Sequence, residues 1–386
     1  MLRYLLSILL IPLSNAAMAS SVYWGGVSFS NWDNRDNLYP NVSQFFCVND
    51  SCSQDGDLNI WARSYLDDFT SSNFEVTSDL ISGNQVEGVI MTPMISRESL
   101  NVVKDITGSN ISFIHVYRIF GSMMFFEFSS GRFIASRPVV AQYTDTLPQM
   151  ASDDQIRAGF RKLLDPKHGG VNLFQELFNS SSNVRPYTFS ERLIRVGEVS
   201  IEDKALQALS TDDLDVWLDL IRKQVESYLV KHTGGPFVPS LSQDSATQEF
   251  SATFSNAAKV IKLPEEVAFD ISINIKNLKT LEKVLRKQKT LCHAVSLNFE
   301  INGLIQKIMD VDLVRTKESC GVISVDKVVD NSYYLTQSIY SLLFEMSKSM
   351  SGDPDSEFIK RSGGKAADKN MKNFMVAWEE VFSSDF

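Results

Sequence analysis

Four histidines, four cysteines and a surplus of carboxylates are the residues whose types could do chemistry in this chain. Acyl transfer needs a nucleophile beside a base, and its sequence marks, such as G-x-S-x-G, do not occur. HExxH, a Walker loop and GxGxxG are missing too. His115, His168, His232 and His293 are scattered. His115 and His293 fall in expected central strands, where an imidazole is most simply a hydrogen-bonded structural group. His168 in DPKHGG and His232 before TGG read as loop and helix-end residues.

Carboxylate pairs, the machinery of glycoside hydrolysis, arise readily in any acidic chain, so a pair such as Asp310 and Asp312 discriminates little. Those two alternate along one strand face, read here as the solvent face. Asp212, Asp213 and Asp215 suit a helix start, where acids meet the positive end of the dipole. QDGDLN spaces Asp55, Asp57 and Asn59 like oxygen ligands of a calcium loop, but lacks the later glycine and bidentate glutamate. The expectation is a solvated loop, with no metal and no cofactor.

The cysteines carry a clearer message. Cys47 and Cys52, in CVNDSC, close a small loop. Cys292 opens the run CHAVSLNFEI, whose antiparallel mate KIMDVDLV follows a turn at Asn302-Gly303. The returning strand brings Cys320 close to Cys292. Two disulfides, Cys47–Cys52 and Cys292–Cys320, are therefore expected, as in an exported chain. A CxxxxC metal site would need further ligands at the right spacing.

Export is also written at the start: MLRYLLSILLIPLSNAAMAS sets Arg3 ahead of an apolar run and ends on Ala17-Met18-Ala19. Residues 1–19 read as a signal peptide, the run being about ten residues against the roughly 20 of a membrane span. No lipobox cysteine follows. With 44% apolar and 22% charged residues, the rest has the composition of an ordinary globular chain, without another membrane-spanning segment. A net charge of −10 argues against general binding to nucleic acid or to anionic lipid, which both need basic surface. Oligomerisation stays open.

The expected class is α/β (α+β): two similar mixed-sheet units with helices on the sheets, joined by a helical segment. The first unit, 20–165, offers a strand (GVIMTPMI), a helical stretch (RESLNVVKDI), a strand (FIHVYRIFG), a long hairpin and the helix DDQIRAGFRKLL. The second, 234–350, repeats the order with FDISINI, LKTLEKVLRKQ, CHAVSLNFEI, KIMDVDLV with VISVDKVV, and the helix SYYLTQSIYSLLFEM. SVYWGGVSFSNWDN and GGPFVPSLSQD would supply an upstream strand to each. Residues 166–233 form the connecting segment, in which Leu214, Trp217, Leu218, Ile221, Val225, Tyr228 and Leu229 recur at helical spacing. Residues 351–386 are a linker and a C-terminal helix carrying Trp378.

The hairpins MMFFEFSSGRFIASRPVV and IMDVDLVRTKESCGVISVDKVV, each with a polar, glycine-containing tip before a closing helix, carry a family likeness. The arrangement resembles the amino-terminal α/β domain of TolB and the related periplasmic domain of curli-secretion lipoproteins, also found in some flagellar ring proteins. That resemblance implies a non-enzymatic role in assembling envelope machinery through protein contacts.

Three functions are in view. The first is an exported, non-enzymatic scaffold or assembly factor, periplasmic or associated with the outer membrane, with envelope proteins as partners; an added strand or a patch of hairpin aromatics would make the contact. A secreted hydrolase whose acids converge only in the fold is the second. The third is a surface module binding carbohydrate or protein through the aromatics of SVYWGGVSFSNW. Candidate partner contacts are Tyr23, Trp24, Trp32, Phe126, Phe128 and Trp378; for the amino-terminal group the competing reading is an ordinary aromatic core.

Overall fold

The computed structural model describes residues 20–48, 51–52, 56–77, 88–107, 110–186, 193–211, 213–240, 249–253, 258–316, 319–351, 356–361, 369, 372 and 376. Strands β1 (Ser20–Trp24) and β2 (Ser28–Ser30) come first, then helix α1 (Arg35–Leu38). The short pair β3 (Cys47–Val48) and β4 (Ser51–Cys52) leads to α2 (Asp57–Leu66) and β5 (Phe74–Thr77). Three long strands follow, β6 (Val89–Thr107), β7 (Asn110–Glu127) and β8 (Phe133–Leu147), then α3 (Asp153–Lys162) and α4 (Leu173–Ser181). The second half runs β9 (Ile194–Ile201), α5 (Asp203–Leu206), α6 (Leu214–Thr233), β10 (Glu249–Thr253) and β11 (Ala258–Lys262). It closes with β12 (Phe269–Leu285), β13 (Gln288–Gly303), β14 (Lys307–Arg315), β15 (Cys320–Ser324), α7 (Asn331–Met350) and α8 (Ser356–Arg361).

The architecture is mixed α/β with two sheet units, which have in common a strand paired in parallel with the first strand of a three-strand meander. In the first, β1 lies parallel to β6, and β6, β7 and β8 form an antiparallel meander followed by α3. In the second, β9 lies parallel to β12, and β12, β13 and β14 form the meander followed at a short distance by α7. Two expectations about the order of elements are corrected. RESLNVVKDI is strand, the far part of β6, and LKTLEKVLRKQ is the far part of β12 with the turn at Arg286-Lys287 that leads into β13. Each is held by a ladder from a neighbouring strand, Glu98 opposite Ile119 and Leu281 opposite Cys292, and long-range pairing overrides a local helical period.

The boundaries also shift. The 166–233 segment, expected as a connector, is divided: Leu173, Phe174 and Leu177 of α4 enter the first unit's core, whereas Ile194 of β9 and Leu218, Ile221 and Val225 of α6 enter the second's. The strand parallel to β12 is therefore β9, and not GGPFVPSLSQD. From that stretch Phe237 instead bridges Ser136 of β8 and Ile194 of β9, joining the two sheets. The hairpin β10–β11 returns to the first sheet beside β2, with Ala252 opposite Ser30.

Local chemistry explains the helices. Ser152 and Gln155 form a capping box at the start of α3. Asp213 accepts from Val216 N at 3.0 Å to start α6, and Gly234 ends it in the left-handed region at φ 66°. On α3, Gly159 lies so close to Tyr117 of β7 that a Cβ would fall 2.4 Å from the ring.

Between the units lies a buried polar joint. Arg97 of β6 meets Asp219 of α6 at 3.0 Å. Arg118 of β7 donates to Gln142 Oε1 (2.7 Å) and Asn101 Oδ1 (2.9 Å), and stands over the Tyr340 ring of α7. Arg137 of β8 donates to the carbonyls of Gly234 and Gly235. The polar face of α6 is buried in the same joint, where Lys223 donates to the Ser240 carbonyl at 3.2 Å and Glu226 accepts from Ser240 N at 3.0 Å.

Candidate binding surface on the second unit

Trp24 is 1% exposed and stacks on Phe178 at 5.8 Å, and Phe126 is wholly buried, so both are corrected from contact residues to core. The reason for Phe126 is the curl of the first sheet: Arg132, at the start of β8, bridges Lys262 at the end of β11, and Phe126 falls inside the curve with Met94, Met124 and Ile261. Tyr23 and Phe128 pack half-buried against the same cluster. Trp32 is half-buried against Phe29, Tyr39 and Phe46. Trp378 lies outside the described residues.

The groups read as chemically suggestive are mostly structural. Among the candidate calcium ligands, Asn59 is buried in α2 and its Oδ1 accepts from Val27 N at 2.7 Å; Asp55 lies outside the described residues. His115 is buried and accepts from Ala151 N at 3.2 Å. Asp310 and Asp312 do lie on an exposed face, where each accepts from Asn298 Nδ2, Asp310 binds Lys307 at 3.1 Å and Asp312 binds Lys276 at 2.6 Å. These bonds hold both carboxyls below the usual range, Asn298 being the first cause for Asp310 and Lys276 for Asp312. Acids kept ionised in this way are poor proton donors at neutral pH.

Cys292 and Cys320 form a disulfide, pairing across β13 and β15 as the hairpin geometry led one to expect. The backbones of Cys47 and Cys52 stand directly opposite in β3 and β4, while their side chains lie outside the described set. Beyond the Cys292–Cys320 bond, β12 and β13 run on as an arm, with residues 281–288 all exposed. Its apolar side chains are unusually open: Leu281, Val284 and Leu285 are 39%, 52% and 60% exposed, and Val322 of β15 beside them 63%. The turn places Arg286 in the left-handed region at φ 57°, where glycine or asparagine is the usual occupant.

Under the arm a cavity of about 500 Å³ opens between α7, β13 and β15. His293 forms part of its wall, stacked on Tyr334 at 5.2 Å with Nε2 donating to Asn331 Oδ1 at 3.0 Å. Burial pulls the His293 pKa down, partly opposed by that hydrogen bond. Ser319 donates to the backbone carbonyl of His293, not to its ring. The cations here already have carboxylate partners: Arg315 meets Glu345 at 2.6 Å, and Lys327 meets Asp105 of the first unit at 2.8 Å. The cavity is thus a mixed polar and aliphatic hollow with its charges balanced.

The second unit's sheet has two unlike faces. Val295, Leu297, Phe299 and Ile301 of β13 point to α6 and α7, while Ser296, Asn298 and Glu300 between them remain half-buried on the other side. β14 ends this sheet, and among the described residues no strand pairs with its outer edge. At its foot, the turn exposes Leu304 (67%) and Ile305 (98%).

No family model matches the sequence. No curated protein matches it. A solved structure from Xanthomonas campestris, described as a DUF330 family protein, superposes with a TM-score of 0.22 at 6% identity, covering 42% of this chain and 81% of its own. A superposition that loose assigns neither fold nor activity.

What sequence reasoning missed is the arm. The spacing of Leu278, Leu281 and Leu285 is helical, and laying it on a strand sends Leu281 and Leu285 to one face and Leu278 and Val284 to the other.

Proposed function

We propose that the chain is an exported, non-enzymatic binding protein of the bacterial cell envelope, a scaffold or assembly factor that receives an extended partner segment as an added strand along β14. The observation that carries this reading is the outer edge of β14, nine residues long, with which no strand pairs among the described residues, beside a sheet face left accessible. Such an edge offers a row of backbone donors and acceptors, and strand addition satisfies them while side chains at alternate positions supply selectivity. Leu304 and Ile305 extend the contact with exposed apolar area. The signal-like first 19 residues and the likeness to periplasmic assembly domains support the envelope as the setting.

A photo-crosslinking residue in place of Val314, which is 36% exposed near the end of β14, tests this in native envelopes. A discrete adduct with an envelope protein, lost when the same residue is placed at buried Leu313, is the expected result. Absence of any adduct from Val314, or hydrolysis of envelope polymers by the purified chain, overturns the proposal.

A further inference from the structure

We infer that the arm formed by the far ends of β12 and β13 docks on an anionic bilayer surface, a contact that goes beyond strand addition at β14 and does not rest on it. Charge is the first argument. From Lys279 to Lys289 five basic residues stand against Glu282 alone, on a chain of net charge −10. Glu282 is matched by Lys289 at 3.7 Å, and among the described residues Lys279, Lys283, Arg286 and Lys287 make no ion pair. Asp326, near the base of the arm, accepts from Ser324.

The second argument is where the apolar side chains point. Leu281 and Leu285 share one face of the arm with Val322, while Val284 lies on the other, and all four are exposed. A protein partner packs against one face of a ribbon. Lipid closes around a tip and covers both, with lysine stems lying along the apolar side chains and their ammonium groups among the phosphates. Distance is the third argument. Seven residues separate Leu278 from Leu285, about 23 Å of strand. At physiological ionic strength the screening length is about 8 Å, so the acidic body is largely hidden from a surface touched by the tip. Arg286 adds a positive charge at the turn itself, in a backbone state where glycine is the easier choice.

The experiment is co-sedimentation of the full chain with vesicles of phosphatidylcholine alone and of phosphatidylcholine mixed with phosphatidylglycerol. Binding to the mixed vesicles only, weakening as salt is added, is expected. Each basic side chain near an anionic surface multiplies binding about fivefold, so Lys283→Gln with Arg286→Gln should lower the partition constant about 25-fold. Leu285→Ser should lower it at least about tenfold. All three positions are exposed, and an unchanged urea midpoint shows that the variants fold. Equal binding to both vesicle types, binding to neither, or no change in the variants overturns the inference. So does vesicle-free capture of an acidic protein with the same dependence on Lys283 and Arg286. None of these outcomes alters the Val314 adduct, so the two proposals fail separately.

Discussion

Strands β7 and β13 hold the same place in their units, second in a three-strand meander whose first strand is paired in parallel with an earlier one. Along β7 twelve consecutive residues, His115 to Phe126, are buried, whereas β13 alternates between buried and half-buried from Leu291 to Ile301. The first strand has apolar cores on both faces: Phe125 belongs to the one beneath α3 and α4, and Phe126 to the one inside the curled sheet. β13 has a core on one side only. The same topology thus has two outcomes, a sheet filled on both faces in the first unit and a sheet with one face left accessible in the second.

Adjacent residues on the two strands test that contrast most strongly. Phe125→Ala and Phe126→Ala should each cost about 3–5 kcal/mol, as should Phe299→Ala on β13, read by urea unfolding. The joint should be comparably sensitive: Arg97→Ala leaves Asp219 buried without its closest cation, at a cost of about 3–5 kcal/mol, and should separate the unfolding of the two units.

The disulfide belongs to the second unit alone. It spans 28 residues, so Cys292→Ser with Cys320→Ser should destabilise by about 3–4 kcal/mol. Hydrogen exchange should show protection lost in β15 and the far part of β12 while β6 to β8 keep theirs. Protection lost equally in both units would mean that they do not differ in the way drawn here.

Glu226, in the buried joint, gives the contrast a pH signature. Burial pushes its carboxyl up to about 7, opposed by Lys223 and Ser240. A carboxyl raised on folding contributes stability that is complete below its unfolded value near 4.5 and is lost as pH rises to about 7. The loss should be ~3 kcal/mol, and Glu226→Gln should flatten the dependence of the urea midpoint between those limits. A variant that keeps the full slope would place the titration elsewhere. The smallest effect is expected on the accessible face: Asn298→Ala, next to Phe299, should change stability by less than about 1 kcal/mol. If Asn298 and Phe299 cost the same, the two faces of β13 are not distinct.

How much of this could be read from the residues depended on the range of the interaction. α6 was legible because Asp213, the apolar period from Leu214 to Leu229 and Gly234 all act within a turn or two of the helix. The one-sided sheet could be read in CHAVSLNFEI, since strict alternation is a local pattern. Phe126 and Trp24 were harder: an aromatic in a strand has the same local appearance whether a second layer covers it or not, and the covering residues, Ile261 and Phe178, are more than a hundred positions away.

From its own order of residues the chain determined the mixed α/β class, the long hairpins and the meeting of Cys292 with Cys320, because caps, turns and antiparallel return depend on near neighbours. Tertiary structure alone decided that RESLNVVKDI and most of LKTLEKVLRKQ are strand, that α6 is buried on its polar side, and that a basic, apolar-tipped arm stands out from an acidic body. Backbone ladders and buried ion pairs supplied by distant segments outweigh the fraction of a kcal/mol per residue with which a short stretch prefers helix.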